Sequence, residues 1–258
     1  MPPNRISLGC RPRGCRNVRI LGVCPNLDDY DPSSRDLITR SRRVLYPTRL
    51  YAQPLTDAGK TVFPSGRHYF YLGDKIRQTT LYGALGLAMP RTRVFYGRQR
   101  QNVLRHFSFP FIAKIPIGLG GGRGVFLIRR ESEWRTYLQR TRVAYVQEYL
   151  PLERDLRVVA VAGRLVAAYW RVARPDEFRT NLGQGGRIEL SDLSGEGVDF
   201  ALKAARRCGF DDVGLDVCQY RGRWMILEAN MHYGLAGLRA AGIRLADVLD
   251  GLIEEGVI

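Results

Sequence analysis

VGLDVCQYRGRWMILEAN, residues 213 to 230, reads as two strands joined by a short turn. Apolar and polar residues alternate on both sides of Arg221-Gly222, and a polar Gly-containing turn between alternating runs is a hairpin signal. With the hairpin centred on Gly222, cross-strand partners have numbers summing to 444, so Asp216 faces Glu228. Asn230 lies two residues further on and points the same way, because side chains in a strand alternate with period two. Three oxygen donors then share one face, while Leu215, Val217 and Leu227 are expected on the core side. Two carboxylates facing each other across a strand pair repel and need a cation. Hard oxygen donors suit Mg²⁺ or Mn²⁺ better than zinc. The competing reading is an acidic edge neutralised by arginines, and the apolar neighbours favour the metal.

Working upstream, GLGGGRG at 118–124 lies between two strand-like runs, Phe109 to Ile115 and Gly124 to Ile128. It has neither the GK[ST] ending of a Walker loop nor a Rossmann GxGxxG pattern. Gly120, Gly121, Gly122 and Gly124 instead make a flap whose backbone N–H groups can close over phosphates. Lys114 sits in an otherwise apolar strand, where an unpaired ammonium is costly unless an anion is near. Lys75, just after the N-cap Asp74 of a helix running to about Leu85, opposes the helix dipole unless both face a phosphate. Arg157, Arg171 and Arg179 supply the forked donors that phosphate and carboxylate take. A two-residue turn at Ala162-Gly163 puts Arg157 and Arg171 on opposite faces, whereas a turn centred on Arg164 aligns them; the pattern leaves both open.

Around this core the chain alternates strands and helices: Ser33 to Leu45, Ser132 to Gln139 and Ser194 to Cys208 as helices, Val18 to Cys24 and Ala144 to Tyr149 as strands, and a hairpin from Asp155 to Val172. The prolines at 47, 54 and 64 are expected to break long elements. The fold class is α+β. The division is a flexible basic tail over 1–16, a short α/β unit over 17–66, and subdomains over 67–146, with the glycine loop, and 147–258, with the metal face.

At 258 residues with 45% hydrophobic content, the chain can form ordinary packed cores. No apolar run approaches the roughly 20 residues that cross a bilayer, and the basic start lacks the apolar centre of a secretory signal, so a cytoplasmic protein without membrane contact is expected. Five cysteines without a CxxC pair support neither a zinc cage nor a disulfide framework. The net charge of +15 invites a nucleic-acid reading, yet 36 of the 40 basic residues are arginines spread along the whole chain. With no recognition motif, specific nucleic-acid binding is not expected.

Taken in order, Lys75 in GDKIRQTTL, Lys114 in FPFIAKIPIGLGGGRGVFLI, YVQEYL at 145–150, DLR at 155–157, FRTNLGQGG at 178–186, and VGLD with LEAN resemble the ATP-grasp superfamily, in its RimK-like glutamate ligase branch. The resemblance covers roughly residues 68–240. It implies ATP held between two α+β subdomains, with Lys75 and Lys114 at the phosphates under the glycine flap. It puts Gln147, Glu148, Tyr149 and Leu150 around the adenine and Asp155 near the ribose. Asp216, Glu228 and Asn230 then look like the ligands of two magnesium ions. Arg179 and Asn181 match the family's RSN element, with Thr180 in place of serine, and Arg157 and Arg171 look like phosphate or carboxylate binders. The implied activity is ADP-forming ligation of a carboxylate to an amine through an acyl phosphate, with glutamate or another amino acid joined to a peptide, protein tail or small amine. Two departures stand out: the region before Lys75 is short, and Gly183-Gln184 replaces the His-Arg of glutamate ligases. A phosphotransferase acting on a small carboxylate and a non-catalytic nucleic-acid-binding protein are the alternatives, and a homo-oligomer is left open.

Overall fold

The computed structural model describes residues 5–118 and 122–258. The first unit is a parallel four-stranded sheet, in spatial order β2-β1-β3-β4. Its elements are β1 (Arg5–Ser7), β2 (Val18–Ile20), α1 (Pro32–Arg40), β3 (Arg43–Leu45), α2 (Thr48–Asp57) and β4 (Thr61–Phe63). Asp31 caps α1 by accepting from the Ser34 N–H at 3.0 Å, with Pro32 just inside. The helix expected to reach Leu45 stops at Arg40, because Val44 and Leu45 are drawn into the sheet beside β1. Pro54 lies inside α2 rather than breaking it.

The flexible tail expected over residues 1–16 is corrected for its described part. Strand β1 is an inner strand of the sheet, with Ile6 and Leu8 buried against Val44, Tyr51 and Leu55. The segment after it runs onto the far end of the chain. The Arg16 N–H donates to both Asp250 oxygens at 3.0 and 3.1 Å, and Cys15 Sγ lies 3.5 Å from the Ala246 carbonyl. A three-residue strand held by partners on both sides leaves almost no local periodicity to read.

Helices α3 (Gly66–Tyr71) and α4 (Lys75–Ala84) follow, with Asp74 capping α4 through the Arg77 N–H. The next layer is an antiparallel sheet in the order β5-β8-β6-β7. It is made of β5 (Thr92–Tyr96), β6 (Phe111–Lys114), β7 (Val125–Ile128), α5 (Glu131–Leu138) and β8 (Val143–Glu148). One face buries Phe111, Ala113, Ala144 and Val146 under Trp134 and Tyr137 of α5. The alternate residues, Ile112 and Lys114 on β6 opposite Gln147 and Tyr145 on β8, face the other way.

The last layer is a five-stranded sheet in the order β11-β10-β9-β12-β13. It comprises β9 (Arg154–Val161), β10 (Arg164–Val172), β11 (Arg187–Glu189), α6 (Gly195–Cys208), β12 (Asp212–Tyr220) and β13 (Arg223–Asn230), followed by α7 (Ala236–Ala240) and α8 (Leu245–Glu254). Leu156, Val158, Leu215 and Val217 pack beneath α6 together with Leu81 and Tyr82 of α4. Helix α4, expected in the 67–146 subdomain, therefore packs on this sheet. Val159, Val161 and Tyr169 on the other face meet α7 and α8, and also Leu45, Tyr46 and Phe63 of the first unit.

Candidate active site

Two β-bulges decide which side chains meet. The β12–β13 turn has two residues, since Tyr220 pairs with Arg223, and alone it would put Asp216 opposite Leu227. A bulge between the Val217–Ile226 and Asp216–Glu228 pairs inserts Leu227 as an extra residue and restores the expected register. Asp216 faces Glu228 as the sequence predicts, but Leu227 leaves the core and lines the cleft, while Ile226 takes the core position. Along β9 and β10 the turn is Ala162-Gly163, and a second bulge between Leu165 and Ala167 shifts the pairing so that Tyr169 meets Arg157 and Arg171 meets Asp155. Arg157 and Arg171 consequently share a face. Across three strands the row Arg157, Asp216, Glu228 is in register.

This row is a buried charge network. Asp216 accepts from Arg157 Nε, from Arg157 Nη2 at 2.9 Å and from Asn230 Nδ2 at 2.9 Å, and Arg171 Nη2 lies 2.9 Å from its Oδ2. Burial works to raise the Asp216 carboxyl, but the two guanidiniums overcome it and hold the group below its ordinary value. Arg171 also forks onto Asp155 at 2.8 and 2.7 Å, and the Thr180 hydroxyl donates to the same carboxylate at 2.5 Å. Asp155, which the resemblance puts near a ribose, thus spends both oxygens as the counter-charge of Arg171. Lys75 Nζ pairs with Glu228 Oε1 at 3.1 Å. In this structure arginine and lysine supply the compensation that the alternation pattern alone assigns to a metal. Gly214 makes room for the network: a Cβ there would stand 3.0 Å from Cδ of Arg157.

An open cleft lies between the two antiparallel sheets. Its lining brings together Lys114, Gln147, Glu148, Tyr149, Leu150, Asp155, Arg171, Arg179, Asn181, Asp216 and Glu228, every one a residue singled out from the sequence. Lys114 is 7% exposed. No hydrogen bond or ion pair reaches its ammonium among the described residues, and the Tyr145 ring stands 5.9 Å away. Burial pulls its pKa down to about 8, against the attraction of Glu228. Gln147 is fixed by donating to Thr92 Oγ1 at 3.0 Å, and Glu148 accepts from the Arg91 N–H at 2.6 Å.

Arg179 is held by both oxygens of Glu177, at 3.0 and 2.8 Å, which draws the Glu177 carboxyl down to about 2. It also reaches the Gly122 carbonyl at 3.4 Å. Gly122 has φ +76°, and a Cβ on it would fall 2.7 Å from Asn181 Oδ1, so only glycine fits where the loop meets the RTN segment. The Gly124 carbonyl accepts from the Ile115 N–H at 2.7 Å, closing the hairpin. Gly120 and Gly121 lie outside the described residues.

Lys75, Arg157 and Asn230 do not line this cleft. Arg157 and Asn230 line a second chamber, together with Gly183, His232 and Tyr233, and the two chambers share Arg171 and Asn181. Sequence reasoning missed Gln78, whose buried amide donates to the Ala229 carbonyl at 3.1 Å and the Tyr71 carbonyl at 3.0 Å. Its position three residues before Leu81, on the packed side of α4, was the available signal. It also missed Ile112, which period two from Lys114 puts in the cleft.

The layout, two α+β layers closing on a cleft beside a short N-terminal unit, is the ATP-grasp fold. A RimK domain protein of the ATP-grasp type from Sphaerobacter thermophilus superimposes with a TM-score of 0.70 at 16% identity, covering 96% of this chain and 98% of that one. The ATP-grasp ligase PsnB, solved with a minimal precursor, Mg and ADP, superimposes with a TM-score of 0.60 at 21% identity, over 80% of this chain and 66% of that one. The family model for the RimK-like ATP-grasp domain matches residues 73–253, and the chain belongs to that family. A relative named a probable alpha-L-glutamate ligase, from Aeromonas salmonicida, is 32% identical over 191 residues, which are 70% of this chain; the chain spans 62% of that relative's length.

Proposed function

We propose that the protein is an ATP-dependent, ADP-forming carboxylate–amine ligase, and the observation that carries this is a pair of chambers meeting at Arg171 and Asn181. One is shaped for a nucleotide. Gln147 to Leu150 frame its base end, and Lys114 is a buried cation that no carboxylate pairs at ion-pair distance among the described residues, a condition a phosphate relieves. The other presents two buried guanidiniums to an acid. Both the family membership and the PsnB complex with Mg and ADP support ATP and magnesium as its partners.

The donor set fits magnesium. Asp216, Glu228 and Asn230 offer hard oxygens from neighbouring strands. No three His, Cys, Asp or Glu side chains converge on a metal position among the described residues, so two carboxylates and an amide would share the ion with phosphate oxygens. Magnesium would supply neutralisation of the phosphate charge. The protein's own residues do the rest. Lys114 and Arg179 hold the transferring phosphoryl group, and Arg171, steadied by Asp155 and Thr180, holds the acid at the junction. A carboxylate oxygen attacks the γ-phosphorus, the bond to the β-phosphate oxygen breaks, and ADP leaves. An amine then attacks the acyl carbon, loses a proton, and phosphate departs, with Arg171 stabilising the oxyanion.

Glutamate or another amino acid joined to a peptide, protein tail or small amine is the substrate reading that the relative from Aeromonas supports. Among the described residues no helix is long and apolar enough to cross a membrane. The test is hydroxylamine trapping with ATP, magnesium and a panel of acids including L-glutamate: a hydroxamate formed together with ADP is expected. AMP with pyrophosphate would overturn the reading, and ADP with a phosphorylated end product and no trapped acyl group would replace it with the phosphotransferase.

A further inference from the structure

The charge network has an asymmetry that bears on how the site loads. Asp216 is 3% exposed and its two oxygens already accept from four donor atoms on Arg157, Arg171 and Asn230. A divalent cation cannot reach that carboxylate without displacing a donor. Arg171 can give way at little cost, because its fork onto Asp155 is independent of Asp216. Arg157 has no second carboxylate among the described residues. Parted from Asp216, it becomes a buried guanidinium without a counter-charge among the described residues, a costly state unless another anion takes over. It already lines the second chamber.

We propose that Arg157 is an exchangeable counter-ion. It occupies Asp216 while the cleft is without metal, and a divalent ion binding at Asp216 transfers it to the second chamber, where it receives the carboxylate to be activated. This rests on the metal and acid positions of the ligase reading and adds an order to them: metal with nucleotide first, acid second. By linkage, the acid then tightens the metal by the same factor that the metal tightens the acid. The order is useful chemically, since an acid admitted only after the phosphoryl donor meets an assembled site.

The probe is Mn²⁺ alone, with the full chain, free Mn²⁺ being read by electron paramagnetic resonance. Arg157→Gln removes the competitor and is expected to tighten Mn²⁺ on the order of tenfold, the effect of about 1.4 kcal/mol. A merely structural role for Arg157 would weaken binding instead, so the sign discriminates. Asp216→Asn is expected to abolish binding. If it does not, the metal position fails and the exchange with it. If it does while Arg157→Gln binds equally or more weakly, the exchange alone is overturned. A second measurement needs no variant of Arg157: in a Mg²⁺ titration of the wild-type chain followed by arginine Nε–H resonances, the Arg157 signal moves while the Arg171 signal, bonded to Asp155, stays. An unmoved Arg157 signal overturns the proposal.

Discussion

Replacing Lys114 with methionine separates what this side chain does for binding from what it costs in stability. Burial, with help from Lys75, brings its pKa from the ordinary lysine value of 10.5 to about 8. A lysine whose folded pKa lies below its unfolded one binds fewer protons folded than unfolded between the two values, so stability rises with pH there. The penalty is fully present below about 8 and vanishes as the pH climbs past 10.5. The drop from 10.5 to about 8, at about 1.4 kcal/mol per pH unit, amounts to about 3 kcal/mol. Methionine keeps most of the stem and removes the charge. Lys114→Met is therefore expected to melt about 6 °C or more above the wild type at pH 7, at roughly 2–4 °C per kcal/mol for a chain of this size. At pH 10 the gap should have shrunk to under roughly a third, following the same linkage. Calorimetry with a non-hydrolysable ATP analogue should show at least a roughly tenfold loss of affinity as the phosphates lose a buried cation. Equal or lower melting at pH 7, or a gap that persists at pH 10, refutes the burial argument; unchanged affinity refutes the phosphate assignment.

Asp212, buried at the start of β12, accepts from Tyr46 at 2.9 Å, Tyr233 at 2.6 Å and Arg11 at 3.2 Å, tying the first unit to the start of β12 and to the segment after β13. Asp212→Asn leaves Arg11 without its counter-charge and should destabilise by about 3 kcal/mol in urea unfolding; a change under about 0.5 kcal/mol would show the cluster to be incidental. Gln78 holds the edge strand β13 at Ala229, between Glu228 and Asn230, so Gln78→Leu should raise the Mg²⁺ concentration for half-maximal ATP turnover about fivefold, with a smaller change in the ATP KM. Equal shifts in both would mean a general loosening of the site.

The local part of the design is legible in the amino-acid sequence itself. Glu228 and Asn230 share a face because strand side chains alternate, a face that Asp216 joins through the bulge at Leu227, and Asp74, Pro32 and Asp31 mark helix starts because capping is a property of adjacent residues. The residues around the cleft between the two antiparallel sheets stand out because their types are unusual for their settings: a lysine among apolar neighbours, glycines where backbone must come close. Local pattern also misleads. Leu227 belongs to the core by alternation because nothing in that alternation reveals a bulge, and residues 5–16 resemble a tail because a short inner strand draws its hydrogen bonds from β2 and β3.

What packing alone decided is how the charges are partnered. Arg157 and Asp216 are 59 residues apart, and Arg11 and Asp212 are 201. No periodicity connects such positions. Arg157 meets Asp216 because β9 and β12 pair directly in register, the bulges at Val166 and Leu227 bring Arg171 and Glu228 to the same face, and Arg11 reaches Asp212 from the loop after β1. Sequence supplied the chemical types and their alternation, since both are properties of neighbouring residues. Which cation neutralises Asp216 depends on the register of strands distant in the chain, and that is set only when the sheet closes.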